Sequence, residues 1–294
     1  MIFVSTGGER NKTACQSAEE YYLEDIAHVE LSGGAFSPTC AADLKSLQER
    51  TGMQLQVHNY FPPPEKPFVF NLASGDPLNA ERSIEHVRLA MRQAVAVKRP
   101  IYSFHAGFRI NPAVSELGTK LRQRNLLARD SALNQFGERV AMLAEEARQI
   151  GVSLLIENNV INKANLAVFG EDPLLFTEPK EIDSFMSNVP SNVGLLLDVA
   201  HLKVSASTLG FDMDDAHETL RPWIKGYHLS DNDGSQDSND PVTNDSWFWE
   251  RLVRGLDYYT LEVYRMPAAG LAQQQKLVER KLNEPTLGDK ENKV

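Results

Sequence analysis

The sequence is poor in cysteine and has no long hydrophobic run. Its 294 residues include two cysteines, Cys15 and Cys40. Two are too few for a disulfide framework or a four-thiolate metal site, and they lack the CxxC spacing of redox motifs. The longest apolar runs, such as VSLLI at 152–156, have about five residues, whereas a bilayer-spanning helix needs roughly 18–20. We therefore predict no transmembrane helix.

A basic leader and an excess of positive charge are also missing. The first residues, MIFVSTGGERNK, do not place a basic segment before a long apolar one, so we predict no secretory signal and a cytoplasmic location. Thirty basic and forty acidic side chains give a net charge of −10. This balance disfavours nucleic acid or an anionic membrane surface as a partner, although a local basic patch could still bind an anion.

Short β-branched or aliphatic runs recur along the chain and alternate with helix-compatible segments. There are eight: IFVST (2–6), HVELS (28–32), LQVHN (55–59), IYSFHA (101–106), VSLLIEN (152–158), VGLLLDV (193–199), IKGYHLS (224–230) and YYTLEVY (258–264). Their continuous apolar character is typical of strands buried on both faces of a parallel sheet. Helical periodicity is clearest over 79–97 and 131–151, and Gly151 is placed to end the second helix.

This alternation predicts an α/β fold, a single-domain (β/α)8 TIM barrel over residues 1–282. No Pro/Gly/Ser-rich linker divides the pattern into halves. A doubly wound open sheet is the competing arrangement, but neither GxGxxG nor GxxxxGK[ST] follows any of the runs. The polar stretch 283–294 is predicted to be a flexible C-terminal tail.

Side chains that can bind metals follow the predicted strands closely. At or near the strand ends lie Glu30, His58, His105, Glu157, Asp198, His228 and Glu262, with His201 shortly after the sixth strand. In a barrel these ends open on one face, where the active sites of this fold lie. A single strand-end histidine is more often structural. A buried carboxylate directly after an apolar strand, as at Glu157 and Asp198, is costly without a partner, so the joint pattern predicts a site.

The remaining histidines are assigned structural roles. His86 and His217 lie in helix-like segments, and His28 begins a strand. Glu30 ends the second strand and is expected to orient either a substrate hydroxyl or a neighbouring ligand.

Several of these motifs together resemble one family. GVSLLIEN with Glu157, GLLLDVAH with Asp198 and His201, GYHLSDNDG with His228, and TLEVY with Glu262 are similar to the xylose isomerase-like superfamily of TIM barrels. The resemblance covers about 260 residues. That superfamily contains sugar isomerases and epimerases together with metal-dependent apurinic endonucleases.

Resemblance to the sugar enzymes implies a small-molecule sugar or sugar derivative as substrate and one divalent cation as cofactor. The implied ligands are Glu157, Asp198, His228 and Glu262. This oxygen-rich set favours Mn²⁺ or Mg²⁺ and is also compatible with Co²⁺ or Zn²⁺. Glu157 and Glu262 would act as the acid/base pair through an enediolate. His58, His105 and His201 would hydrogen-bond the substrate, and a homo-oligomer is also implied.

Resemblance to the endonucleases gives the main alternative, a hydrolase or lyase with three zinc ions. The matching positions are His58, His105, Glu157, Asp198, His201, His228 and Glu262. That branch also needs an Asp-x-His pair after the seventh strand, and this chain has Asp237-Ser238-Asn239 there. Asn replaces the imidazole poorly, so a complete third zinc position is not expected. A barrel that binds a sugar without turnover is the third reading.

One loop suggests substrate specificity. The segment 107–130 is long for a loop after a strand and contains Arg109, four residues beyond His105. A guanidinium there would suit a carboxylate or phosphate on the substrate. We therefore predict that Arg109 binds the substrate, alongside Glu30, His58, His105 and His201.

Overall fold

Eight parallel strands form a closed barrel in the computed structural model, which describes residues 1–9 and 11–284. The strands are β1 (Ile2–Ser5), β2 (His28–Leu31), β3 (Gln54–His58), β4 (Ile101–His105), β5 (Ser153–Glu157), β6 (Val193–Asp198), β7 (Ile224–Leu229) and β8 (Tyr259–Leu261). Each strand pairs with the next along the chain, and β8 closes the barrel against β1. The predicted (β/α)8 fold is confirmed.

Helices follow the strands and cover the outside of the barrel. Within the described ranges they are α1 (Ala14–Leu23), α2 (Cys40–Thr51), α3 (Pro77–Ala96), α4 (Arg129–Gln149), α5 (Lys163–Phe169), α6 (Pro179–Met186), α7 (Val199–Leu209), α8 (Met213–Leu220) and α9 (Ala268–Asn283). The predicted helices over 79–97 and 131–151 correspond to α3 and α4, each starting two residues earlier. Gly151 has a φ of 71° just beyond α4, as predicted.

Alternate residues of each strand belong to two different cores. Side chains such as Val29, Ile156 and Leu197 point outward into the large apolar core between the strands and the helices. The barrel interior has a small apolar cluster of its own, formed by Leu155 and Leu196 with Tyr258. The residues that follow Leu155 and Leu196 by two therefore point into the mouth of the barrel, which is where the predicted ligands lie.

The predictions of a C-terminal tail and of no transmembrane helix can be compared with the described residues. The predicted tail, 283–294, begins inside α9, whose last residue is Asn283, and its residues 285–294 lie outside the described part of the chain. Among the described residues, no helix combines the length and the apolar character that crossing a membrane requires.

Candidate metal centre

Four side chains from adjacent strands converge at the carboxyl end of the barrel. Glu157 and Asp198 are the last residues of β5 and β6, His228 lies in β7, and Glu262 directly follows β8. The register places Asp198 beside His228. One ligand atom from each of the four residues lies within 4.8 Å of the others, and their exposed fractions are 6% for Glu262 and 0% for the rest. The four-ligand group predicted from the sequence is thus assembled in the structure.

Asp198 is oriented by the start of α7. Its Oδ1 atom caps the helix by accepting the backbone N–H groups of Ala200 and His201, both at 2.7 Å. Its own backbone is held by Asn158, whose Oδ1 atom accepts the Asp198 N–H at 2.7 Å. With Oδ1 engaged in capping, Oδ2 of Asp198 is buried without a hydrogen-bond partner. That atom is free to bind a ligand.

His228 and Glu262 complete the group from the other side of the barrel. Nδ1 of His228 lies 3.1 Å from Oε1 of Glu157 and 3.2 Å from Oε2 of Glu262. The hydroxyl of Tyr264 donates to Oε1 of Glu262 at 2.7 Å. This bond directs the other oxygen of Glu262 at the imidazole, so the four-ligand group is held by its surroundings.

A second group of potential ligands shares Glu157 with the first. Oε2 of Glu157 lies 3.3 Å from Nε2 of His58 and 3.3 Å from Nδ1 of His105. One ligand atom from each of these three residues lies within 4.8 Å of the others, and the same holds for Glu30, His58 and His228. Glu157 therefore directs its two oxygens at two different groups of potential ligands.

His201 lies on the other flank of the centre. Its Nδ1–H donates to the carbonyl of Asn158 at 2.8 Å, so Nε2 faces the site. Nε2 lies 3.3 Å from Oδ2 of Asp237 and 3.7 Å from Oδ2 of Asp198. The side chains of His105 and Asp237 are 28% and 23% exposed, so these two residues lie on the partly exposed edge of the group.

Close packing of buried carboxylates and histidines shifts the pKa values of Asp198 and Glu157 in opposite directions. Burial raises the pKa of Asp198 to about 7, and the charges of Glu157, Asp237 and Glu262 add to this effect against His201. For Glu157 the burial is outweighed by the nearby histidines, chiefly His105, and its pKa falls well below the usual range. A divalent cation would compensate these charges without requiring a proton on Asp198.

The donor set fits a divalent cation. Oε2 of Glu157, Oδ2 of Asp198 and Nδ1 of His105 are buried and lack hydrogen-bond partners. Unpaired buried polar atoms are costly, and a cation would coordinate atoms of this kind. Three carboxylates with one imidazole suit a hard or borderline ion such as Mg²⁺, Mn²⁺, Co²⁺ or Zn²⁺.

The structure places Arg109 differently from the prediction. Its side chain is 4% exposed, and its Nη1 donates to Oε2 of Glu171 at 2.8 Å and to the carbonyl of Asp172 at 2.7 Å. Its Nε donates to the carbonyl of Leu127 at 2.9 Å. The guanidinium thus fastens the 107–130 loop to the segment before α6, and these contacts do not support the predicted binding of a substrate anion.

The structure also shows the contacts of Glu30 and of the three histidines predicted to be structural. Nε2 of His228 is 3.1 Å from Oε1 of Glu30, and whether Glu30 orients this histidine or a substrate hydroxyl stays a prediction. His86 bonds the carbonyl of Asn59 and His217 bonds the hydroxyl of Tyr227, while His28 packs against Phe3. All three histidines thus have structural contacts.

Sequence reasoning missed a set of polar residues inside the barrel below the ligands. They are Gln56, Ser103, Tyr258 and Thr260, and all are buried. Three of them precede His58, His105 and Glu262 by two residues. Because strand side chains alternate with a period of two, that spacing places them on the same inward face, and it could have been used to find them.

A closed (β/α)8 barrel with buried carboxylates and histidines at its carboxyl face defines the class of this protein. The family described as xylose isomerase-like TIM barrel matches residues 20–271. The chain belongs to that family, as its motifs indicated.

Comparison with other proteins agrees with the fold. No curated protein matches the sequence. Solved structures that resemble it include a D-tagatose 3-epimerase-like protein, with 17% identity, a TM-score of 0.72 and coverage of 100% of this chain and 99% of the other. A 3-keto-D-glucoside 4-epimerase from E. coli has 11% identity, a TM-score of 0.66 and coverage of 95% and 98%. Endonuclease IV from Thermus thermophilus has 17% identity, a TM-score of 0.57 and coverage of 97% and 99%.

Proposed function

We propose that this protein is a divalent-metal-dependent isomerase or epimerase of a sugar or sugar derivative. The observation that carries the proposal is the buried group Glu157, Asp198, His228 and Glu262, whose ligand atoms lie within 4.8 Å of one another. A divalent cation held there would polarise a sugar carbonyl and stabilise the negative charge of an enediolate. Several structural neighbours are named as sugar epimerases, which supports this reading over other barrel chemistries.

Glu157 and Glu262 are the proposed acid/base pair. They come from β5 and from the end of β8, and His228 stands between them, with Nδ1 3.1 Å from one carboxylate and 3.2 Å from the other. A sugar carbon bound above His228 would have one carboxylate on each side, which allows a proton to leave on one side and return on the other. His105 and His201 border the accessible side, where they would donate to substrate oxygens.

A metallohydrolase with two cations is the second candidate, and one observation favours it. Oε2 of Glu157 lies 3.3 Å from both His58 and His105, so a second cation would find two imidazoles and one shared carboxylate. Paired cations about 3.5–4 Å apart are typical of phosphoryl hydrolysis. Asn239 stands where the endonucleases of this superfamily need a histidine, so a third zinc position is not proposed.

Metal content and proton exchange together test the proposal. Purified protein treated with chelator and reloaded is expected to hold one Mn²⁺ or Mg²⁺ per chain, and to exchange the C2 or C3 proton of at least one ketose or aldose in ²H₂O. Two zinc ions per chain with phosphoesterase activity would favour the hydrolase. Bound metal without exchange across a broad sugar panel would reject the isomerase. The cytoplasmic location and the homo-oligomer expected from the sequence stay predictions.

A further inference from the structure

A buried polar layer, which we call the barrel floor, lies directly beneath the candidate metal centre. It consists of Glu30, Gln56, Ser103, Tyr258 and Thr260, each at most 1% exposed. The ring of Tyr258 crosses the barrel over Gly226, where an added Cβ would come within 2.8 Å of Cβ and Cγ of Tyr258. The missing side chain at Gly226 therefore makes room for the base of the Tyr258 side chain, whose hydroxyl lies in the floor.

The floor contains one carboxylate on which several donors converge. Oε2 of Glu30 accepts from the hydroxyl of Tyr258 at 2.5 Å and from Nε2 of Gln56 at 2.9 Å. The hydroxyl of Thr260 also donates to it at 3.0 Å. A carboxylate has no hydrogen to donate, so Glu30 fixes the direction of every hydrogen bond that ends on it.

The hydrogen bond from Tyr258 to Glu30 determines, through Ser103, which nitrogen of His58 carries the hydrogen. Because the Tyr258 hydroxyl donates to Glu30, its oxygen accepts from the hydroxyl of Ser103, 2.6 Å away. With its hydrogen used in that bond, the Ser103 oxygen accepts from Nδ1–H of His58 at 2.9 Å. The hydrogen of a neutral His58 thus lies on Nδ1, and its bare Nε2 faces Glu157 at 3.3 Å.

A second contact of Glu30 determines the orientation of the His228 ring. Its Nε2 lies 3.1 Å from Oε1 of Glu30, so Nε2–H donates to Glu30. Nδ1 faces the carboxylates of Glu157 and Glu262, which can only accept, so Nδ1 carries a proton in the metal-free protein and loses it when a cation binds. Metal-binding histidines usually donate their second N–H to a carboxylate or carbonyl, which orients the ring and sets the tautomer. Here one carboxylate does so for two histidines, directly for His228 and through two hydroxyls for His58.

We propose that Glu30 and Tyr258 are positioning residues that fix the Nε2–H of His228 and the Nδ1–H of His58, so that each ring presents its other nitrogen to the metal centre, unprotonated once a cation is bound. This inference rests on one part of the proposed function, the binding of a divalent cation, and does not depend on the sugar reaction. It assigns separate roles to the two residues, because Glu30 serves both histidines whereas the hydroxyl of Tyr258 serves only His58.

Two variants separate these roles. Tyr258→Phe removes the link to His58 and leaves the contact between Glu30 and His228 in place. Glu30→Gln replaces one of the two acceptor oxygens with an amide group that cannot accept, which disturbs His228 itself. Removing a carboxylate partner of a metal-binding histidine typically costs 10–100-fold in metal affinity. We therefore expect Glu30→Gln to weaken Mn²⁺ binding by that factor and Tyr258→Phe to change it less than about threefold.

The histidine tautomers are read directly by long-range ¹H–¹⁵N NMR, in metal-free protein at alkaline pH and in protein loaded with Zn²⁺. In the parent protein we expect hydrogen on Nδ1 of His58 in the metal-free state, and hydrogen on Nε2 alone of His228 in the Zn²⁺-loaded state. Tyr258→Phe should give a mixture of tautomers at His58 alone, and Ser103→Ala, which cuts the same path, should do likewise. Tyr259→Phe is the matched control, since that hydroxyl donates to the carbonyl of Val253 outside the barrel.

The outcomes are separable from those that test the enzyme activity. An unchanged His58 tautomer in both Tyr258→Phe and Ser103→Ala would overturn the proposal, and so would Mn²⁺ affinity in Glu30→Gln equal to that of the parent. If the parent protein binds no divalent cation, the proposed function fails. The tautomer of His58 in the metal-free protein still decides whether Glu30 and Tyr258 position that ring.

Discussion

Nδ1 of His228 lies 3.1 Å from Oε1 of Glu157, and both side chains are wholly buried. The other ring nitrogen of His228 faces Glu30. An unprotonated nitrogen and a carboxylate oxygen at this separation repel each other unless a proton or a cation lies between them. This contact is therefore where the structure most directly requires a positively charged species.

Glu157→Gln should abolish sugar C–H exchange and lower Mn²⁺ affinity at least about tenfold. The amide keeps the shape of the side chain but can neither take up a proton nor offer two anionic oxygens. Isotope exchange by NMR and metal titration by calorimetry measure the two effects. Glu49→Gln is a suitable control because Glu49 is on the surface, with 69% of its side chain exposed. Full exchange activity in Glu157→Gln would exclude Glu157 from the acid/base pair.

Asp198 makes the stability of the metal-free protein depend on pH. Its pKa in the folded state is about 7 against an ordinary value of 3.8, so the folded state holds a proton that the unfolded state has lost. Its contribution to stability is full below about pH 4 and disappears as the pH rises to 7. Asp198→Asn should therefore gain stability relative to the parent between pH 5 and 7, with no further gain above pH 7.

Thermal unfolding of both proteins across this range, with EDTA present, checks the pH prediction. Excess Mn²⁺ should raise the Tm of the parent protein at pH 7.5 and leave that of Asp198→Asn nearly unchanged. A constant Tm difference between the two proteins from pH 5 to 7 would contradict the assignment of the raised pKa to Asp198.

Arg109→Ala should destabilise the fold without changing substrate preference. The change removes a nearly buried guanidinium that donates to Glu171 and to the carbonyls of Leu127 and Asp172. Loss of such bonds costs about 2–3 kcal/mol of unfolding free energy. Urea unfolding measures this cost, with Arg122→Ala at an exposed position as the control. A selective rise in KM for anionic sugars at unchanged stability would restore the role predicted from the sequence.

Gly226→Ala should disturb the barrel floor. Its new Cβ would lie within 2.8 Å of Tyr258, and overpacking of this kind costs about 1–3 kcal/mol. We expect lower Tm and, because Tyr258 must move, a mixed tautomer at His58. Gly137→Ala in α4 offers a comparison, since its new Cβ would lie 3.5 Å from the ring of Phe185, an ordinary van der Waals distance. Equal effects of the two changes on His58 would argue against a specific role for Tyr258.

The sequence predicted the strand-end residues because the fold itself brings them together. In a closed parallel barrel every carboxyl end opens on one face, so Glu157, Asp198 and His228 meet whatever the details of packing. No comparable rule predicts where the side chain of a loop residue points. Arg109 follows β4 closely, but its acceptors at Leu127 and Asp172 belong to distant segments, and only the folded chain shows that they accept the hydrogen bonds of the guanidinium.

The barrel floor could be predicted from the sequence in part, in its location but not in its hydrogen bonds. The period of two places Gln56, Ser103 and Thr260 on the inward face, so their location was within reach of sequence reasoning. Their hydrogen bonds were not, because the bond from Tyr258 to Glu30 joins strands at opposite ends of the chain. The absence of a side chain at Gly226 leaves space for Tyr258. That relationship can be recognised only when the register of β7 and β8 is known.

Anomalous diffraction from crystals soaked in MnCl₂ tests directly whether the four carboxylate and histidine side chains bind a divalent cation. We expect one strong Mn peak with ligand distances of roughly 2.0–2.3 Å to Glu157, Asp198, His228 and Glu262. The same peak should be lost in Asp198→Asn crystals. Absence of a peak among these four side chains in the parent protein, or a peak only elsewhere on the molecule, would exclude the proposed metal centre.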